Sequence, residues 1–207
     1  DDVVLATGYK GITGSGPRTM IAWIKTTDDD GDIMRWGVPS GTNGAKWQFQ
    51  VQNANGWVGA IRVSVAGGHI VGSTSVNDGQ WHHVAAVKPD GATDVNQVRL
   101  YVDGAYDGST ASADEPINTV SGDDVRIGNT SFDGLIDDVR IYGVALTDIE
   151  VAAIYAGDSS GGILSILHPI TALKGPQSFT ATGLPTGLTV NASSGLISGG
   201  TTAIGDH

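Results

Sequence analysis

The stretch Lys46-Trp47-Gln48-Phe49-Gln50-Val51-Gln52 alternates apolar and polar residues without a break. Successive side chains of a β-strand point to opposite sides, so Trp47, Phe49 and Val51 share one side and Gln48, Gln50 and Gln52 the other. A strand with one aromatic side needs a second layer to bury it. Further runs with strand character are Thr19 to Lys25, Ile33 to Trp36, Trp57 to Val65, His69 to Ser73, Gln80 to Val87, Val98 to Asp103, Val125 to Gly128 and Leu135 to Tyr142. Turn residues separate them. Glycine alone supplies 31 of 207 residues, and Asp103-Gly104 reads as a hairpin turn. One short helix is predicted from Leu146, with Thr147 as N-cap, Glu150 three residues on and Gly157 as its stop. The fold class is all-β, with strands in two packed antiparallel sheets.

Charge narrows the function. The net charge is −11 with a pI near 4.5, which repels phosphate backbones and anionic lipid heads, so neither nucleic acid nor a membrane surface is expected as partner. The absence of cysteine excludes disulfides, thiolate zinc sites and a cysteine nucleophile. The most apolar stretch, 163 to 173, is interrupted by His168 and Pro169 and is too short to cross a bilayer, so no membrane insertion is expected. The residues 157 to 162 read as Gly-Asp-Ser-Ser-Gly-Gly, a linker composition, and beyond them tryptophan disappears. The expected organisation is one sandwich over 1–157, a linker at 158–162 and a small second β-segment over 163–207.

Specific runs carry a family resemblance. Asp-Gly-Gln-Trp-His-His-Val-Ala-Ala-Val at 78–87 is followed by Val-Arg-Leu-Tyr-Val-Asp-Gly at 98–104, then Phe-Asp-Gly-Leu-Ile-Asp-Asp-Val-Arg-Ile-Tyr at 132–142 and Ala-Leu-Thr-Asp-Ile-Glu at 145–150. In that order the set resembles the laminin-G-like, concanavalin A-like family over residues 1 to about 156. Asp1-Asp2-Val3-Val4 is similar to the inner part of the family's opening motif, whose preceding Asp-Gly is missing here. The resemblance implies a jelly-roll sandwich, a secreted or cell-surface location, and binding of glycans, proteins or Ca²⁺. Some members of the wider superfamily cleave polysaccharides, so fold alone does not decide function. Residues 179–200 are similar to immunoglobulin-like modules repeated in bacterial surface proteins, and imply an incomplete immunoglobulin-like segment at the C-terminus of a larger bacterial protein.

Three chemistries compete for the site. Ca²⁺ takes six to eight oxygens, which clustered aspartates supply. Asp1 and Asp2, together with Asp133, Asp137 and Asp138, are the candidate ligands if the opening and closing strands lie side by side; otherwise Asp138 pairs with Arg140 or Arg126 and Asp137 accepts backbone amides. Asp28 to Asp32 lacks the spacing of an EF-hand and reads as a hairpin tip. Catalysis has weaker support. Glu115 and Glu150 match no glycosidase pattern, and His82 and His83 are neighbours on one strand that cannot aim at one cleft. Both read as framework residues of the strand, a core histidine being expected to have a hydrogen-bond partner. Binding needs only flat aromatic faces with paired hydrogen-bonding side chains. Trp23, Trp47 and Trp81 fall at core positions, whereas Trp57 and Trp36 lie beside turns; Trp57, with Asn53, Asn55 and Arg62, is the expected platform. The sequence thus points to a non-catalytic extracellular module that binds a polysaccharide or other glycan, with a structural Ca²⁺. The rivals are a polysaccharide-degrading lyase or hydrolase on the same fold and a protein-binding spacer.

Overall fold

The structure, a computed structural model, describes residues 4–38, 42–54, 56–128 and 131–157, and the backbone of 188–190 and 197–199. The chain divides into two compact units, Asp1–Gly157 and Asp158–His207. Of the second unit the described residues form one antiparallel pair, Leu188–Val190 with Ile197–Gly199.

The first unit is a two-sheet sandwich. Seven strands form one sheet in the order β1 (Val4–Ala6), β11 (Asp123–Ile127), β3 (Gly31–Gly37), β4 (Lys46–Gln52), β5 (Ala60–Val65), β6 (Gly68–Ser75), β10 (Ala111–Ala113). Five form the other, in the order β12 (Gly134–Tyr142), β2 (Arg18–Thr26), β7 (Trp81–Lys88), β8 (Arg99–Val102), β9 (Ala105–Asp107). All pairings are antiparallel. Alternation sets what each strand buries. Trp47, Phe49 and Val51 of β4 meet Met20, Ala22 and Ile24 of β2 and Val84 and Ala86 of β7 in one core between the sheets. Trp36 belongs to that core too, 1% exposed and stacked on Trp47 with ring centroids 6.3 Å apart.

The five-stranded sheet is also apolar on its outward side. Ile21, Ala85, Val87 and Tyr101 point away from the main core and would be wet were they not covered by helix α1 (Asp148–Tyr155), through Val151 and Ile154. The helix starts at the predicted cap: Thr147 Oγ1 accepts the Glu150 N–H and the Glu150 carboxylate accepts the Thr147 N–H. Tyr101 donates its hydroxyl to Asp148 at 2.7 Å, and Arg99 meets the same carboxylate at 2.8 Å. At its far end the helix rests on the β8–β9 turn. There Asp103 and Gly104 both have positive φ, 49° and 75°, as a two-residue hairpin of this hand requires. A Cβ on Gly104 would stand 2.8 Å from the Tyr155 ring, so the position needs glycine for space as well as conformation. Asp107, at the end of β9, accepts hydrogen bonds from Ser73 and Thr74 of β6 and so fastens the two sheets along that edge.

The opening strand pairs with β11 at the edge of the seven-stranded sheet, and the closing strand β12 pairs with β2 at the edge of the five-stranded one. One expectation changes here. Trp81 is exposed rather than in the core, since it opens β7 at the outward side of its sheet.

Candidate functional site

Among the described residues no helix covers the outward side of the seven-stranded sheet, and the strand register lays its side chains out in rows. One row runs Arg126–Arg35–Gln48–Ser64–His69 across β11, β3, β4, β5 and β6. The next runs Asp32–Gln50–Arg62–Val71 across β3 to β6. A β-bulge between Asp32 and Met34 brings Asp32 and Arg35 to the same side although they are three residues apart. Lys46 continues the β4 line. Of these side chains Lys46, Gln48, Gln50, Arg62, Ser64 and His69 floor an open groove of about 510 Å³, bordered at one end by the Ala66–Gly68 turn and Asn43. That volume lies within the range of small-ligand sites, about 300–1,000 Å³. Its lining is polar and cationic: Lys46, Gln48, Gln50, Arg62, Ser64 and His69.

Hydrogen bonds hold the floor in place. Lys46 Nζ donates to Gln48 Oε1 at 2.6 Å, and Gln48 Nε2 donates to Asp32 Oδ1. Arg62 Nε donates to Ser64 Oγ at 2.7 Å, which fixes the plane of its guanidinium. Arg35 lies 3.4 Å from the Asp32 carboxylate. Burial pushes the Asp32 carboxyl above the usual carboxylate range, against the opposing pull of Gln48, Arg35 and Lys46. Burial also holds Lys46 below the ordinary lysine value; Asp32 opposes that, while Arg62 and Arg35 add to it. His69 is lowered by burial and then by Arg62, so it is neutral at pH 7. Glu115 bounds the groove beyond Gly67, its carboxylate held by Asn43 Nδ2 at 2.9 Å.

Of the predicted binding residues, Arg62 is on this floor, whereas Trp57 is not among the groove's lining residues. Trp57 is 56% exposed and lies on a turn pinned by Gln52 Nε2 to its carbonyl at 2.7 Å. The preceding Gly56 packs against Val71 and Ala111, which belong to the same outward side as Arg62. Asn53 is exposed on that turn, and Asn55 lies outside the described residues. Trp36 cannot serve as a platform: the bulge puts it in phase with Met34 and Trp47, facing inward, where its Nε1 donates to Ile12 O at 2.9 Å. Sequence reasoning missed Lys46, Ser64, His69 and Asp32. The signal for the first two was available, since both stand at polar alternate positions of strands already assigned.

Of the candidate calcium ligands, Asp1 and Asp2 lie outside the described residues. Asp138 is held by both Arg140 Nε and Nη2, at 2.8 and 2.7 Å, and Asp137 accepts the Asp138 N–H at 2.7 Å. Asp133 lies in the turn before β12, where its carbonyl takes the Thr26 hydroxyl. Among the described residues no three acidic or imidazole groups are grouped to hold a metal. Asp32, read from sequence as part of a hairpin tip, is instead 2% exposed on β3.

The histidine pair splits as strand geometry requires. His82 meets Asp103 at 2.9 Å and Asp78 at 3.2 Å. His83 is fully buried on the other side, its ring 5.4 Å from Trp23 and 5.7 Å from Tyr155, and among the described residues neither ring nitrogen has a hydrogen-bond partner. The expected partner is absent because α1 closes over the ring with an aromatic side chain. Neither histidine reaches the groove.

The described residues thus form a two-sheet jelly-roll sandwich with a helix over the outward side of one sheet and a polar groove on that of the other. The chain belongs to the Concanavalin A-like lectin/glucanases superfamily, whose sequence profile matches residues 1–152. None of the comparisons supports the immunoglobulin-like reading of the tail. No curated protein matches the chain. Among solved structures, the CBM40 of Ruminococcus gnavus IT-sialidase is 14% identical over 75% of this chain and 97% of its own, with a TM-score of 0.53; a second structure of it holds alpha2,3 sialyllactose. The binding domain of botulinum neurotoxin serotype G is 14% identical over 76% of this chain, with a TM-score of 0.52. Domains LG4-5 of mouse laminin alpha1 are 14% identical over 71% of it, with a TM-score of 0.49. The chain spans 40% of the length of each of the latter two. At such identities the likeness is one of fold.

Proposed function

We propose that the 1–157 unit is a non-catalytic carbohydrate-binding module of an extracellular bacterial protein, and that the groove across β4, β5 and β6 holds the glycan. One observation carries the reading: amide, hydroxyl and guanidinium groups floor an open, uncovered face whose other side is the packed core. Such groups make paired hydrogen bonds to sugar hydroxyls, and an open groove admits an internal stretch of a polymer. Trp57, exposed on the β4–β5 turn, offers a ring face for stacking. A hydrolase would need two carboxyls about 5 Å or about 6.5–9.5 Å apart. No carboxyl is among the groove's lining residues, and the nearby Asp32 is tied to Gln48 and Arg35. Among the described residues no helix is long and apolar enough to cross a membrane.

A glycan array of plant and algal polysaccharides, probed with the full chain and with Gln50→Leu, tests the proposal. Gln50 reaches into the groove, so the near-isosteric change should weaken binding about 5- to 10-fold without moving the melting temperature. Retention of no glycan at all, or release of product from one of them, would sink the proposal.

A further inference from the structure

The groove's charge is opposite to that of the chain around it. The whole sequence has 22 acidic residues against 11 Lys and Arg. Lys46 and Arg62 are among the groove's lining residues, with Glu115 at the rim, Asp32 and Arg35 nearby and Asp30 close enough to Arg62 to act on it. The lining itself thus holds two cations and no carboxylate, where the chain at large has twice as many acids as cations. Among the described residues Lys46, Arg62 and Arg126 have no carboxylate within 4 Å, although several other cations of the unit, such as Lys10, Arg99 and Arg140, do.

The geometry leaves donors pointing at nothing. Ser64 takes Arg62 Nε, and among the described residues the two terminal nitrogens of that guanidinium make no hydrogen bond. A planar fork held at its base and open at its tips is the arrangement that accepts a carboxylate or sulfate through two parallel bonds. Arg126 and Arg35 are direct cross-strand partners, a like-charge placement that costs stability unless an anion lies between them. Arg126 Nε is buried with no partner among the described residues. The crowding is visible at Lys46, which burial, Arg62 and Arg35 all make harder to charge.

Resting on the carbohydrate-binding reading of the same groove, we propose that its ligand is an acidic glycan, whose sugar carboxylate or sulfate is received by the Arg62 fork with Lys46 beside it, while Gln48, Gln50 and Ser64 meet neighbouring hydroxyls. A polyphosphate is disfavoured, because the chain's net charge of −11 repels a dense line of negative charge while a groove of this size takes only a few sugars. An isolated oxyanion per sugar suits a few cations set among amides.

Titration calorimetry of the full chain at low salt tests this with matched pairs: an oligogalacturonate against its methyl ester, and a sulfated galactan oligosaccharide against its desulfated form. Whichever acidic form binds, its neutral counterpart should bind about 10- to 100-fold more weakly, and added salt should weaken the acidic form alone. Arg62→Gln and Lys46→Gln should each reduce affinity about 10-fold or more, and Arg62→Lys should recover only part, because an ammonium lacks the fork. Arg99→Gln, on the other sheet, should leave binding unchanged. Thermal melts of each variant separate loss of ligand from loss of fold. Equal binding of charged and neutral forms would overturn the acidic ligand while leaving a carbohydrate module standing. Binding of no saccharide would remove both, and tight binding of a duplex DNA control would overturn the choice of ligand class.

Discussion

Arg18 offers the sharpest test of how the groove's foundations are held. It is fully buried at the start of β2, and its guanidinium reaches three backbone carbonyls of the preceding loop: Ile12 at 2.8 Å, Gly14 at 2.7 Å and Gly16 at 3.2 Å. It also donates to Thr119 Oγ1 at 2.9 Å and lies 4.8 Å from the centre of the Trp47 ring, directly beneath the strand that floors the groove. Four charge-assisted bonds at about 1.5 kcal/mol each contribute about 6 kcal/mol. Against this stands the cost of keeping the charge out of water: burial lowers the pKa from 12.5 to about 10, equivalent to about 3 kcal/mol. Arg18→Met keeps most of the packing volume and removes both effects, so a net loss of about 3 kcal/mol is expected. For a unit of this size that lowers the melting temperature by about 6–12 °C. Arg18→Lys should fall between, since one ammonium cannot span carbonyls on three residues. Calorimetric melts of the three proteins at pH 7 decide it. A fall of under about 2 °C for Arg18→Met would mean that the loop is held by something other than this guanidinium.

Three further outcomes follow from the same geometry. Partial burial opposes charging of His82, yet hydrogen bonds from Asp103 and Asp78 outweigh it and raise its pKa above the ordinary value. The stability it contributes is therefore complete below about pH 6.5 and is lost as pH rises through the higher folded value. His82→Gln should thus lower the melting temperature most near pH 5.5 and least above pH 8.5; the opposite trend would refute the ion pairing. Trp57→Ala should change stability by no more than about 0.5 kcal/mol while weakening glycan binding, whereas Trp36→Ala, emptying a core site, should cost about 3–5 kcal/mol, both read by denaturant titration. Because Asp138 is already paired with Arg140, the Asp137→Asn/Asp138→Asn double variant should melt with the same response to Ca²⁺ and to EDTA as the parent chain. A response abolished by that variant would place a metal there after all.

Local chemistry announced much of this fold. The β4 alternation, the Asp103-Gly104 turn and the Thr147–Glu150 cap each depend on neighbours within a few residues, and the structure has all three. What stayed hidden depends on partners distant in sequence. Trp36 was placed beside a turn, but a bulge four residues earlier in the strand rotates its phase and sends it inward. The Val84-Ala85-Ala86-Val87 run is apolar on both sides because α1, more than 60 residues later, covers the outward one. That same cover leaves His83 between two rings. The groove was half legible: Gln48 and Gln50 were visible as a polar side, and Lys46 and Ser64 stand in phase with Gln48 and Arg62 on their own strands, but register alone shows that His69 of β6 joins them. Asp138 was read either as a ligand or as the partner of Arg140, and only the structure supplies the two-bond contact with Arg140.

The alternation in β4 has a consequence for how such a module can change. Its odd-numbered residues answer to folding, while Lys46, Gln48 and Gln50 face the groove, and β5 keeps the same parity with Ile61 and Val63 against Arg62 and Ser64. Specificity can therefore drift at even positions while the odd ones hold the architecture still, so a library confined to 46, 48, 50, 62 and 64 should yield folded proteins with altered tastes in ligand.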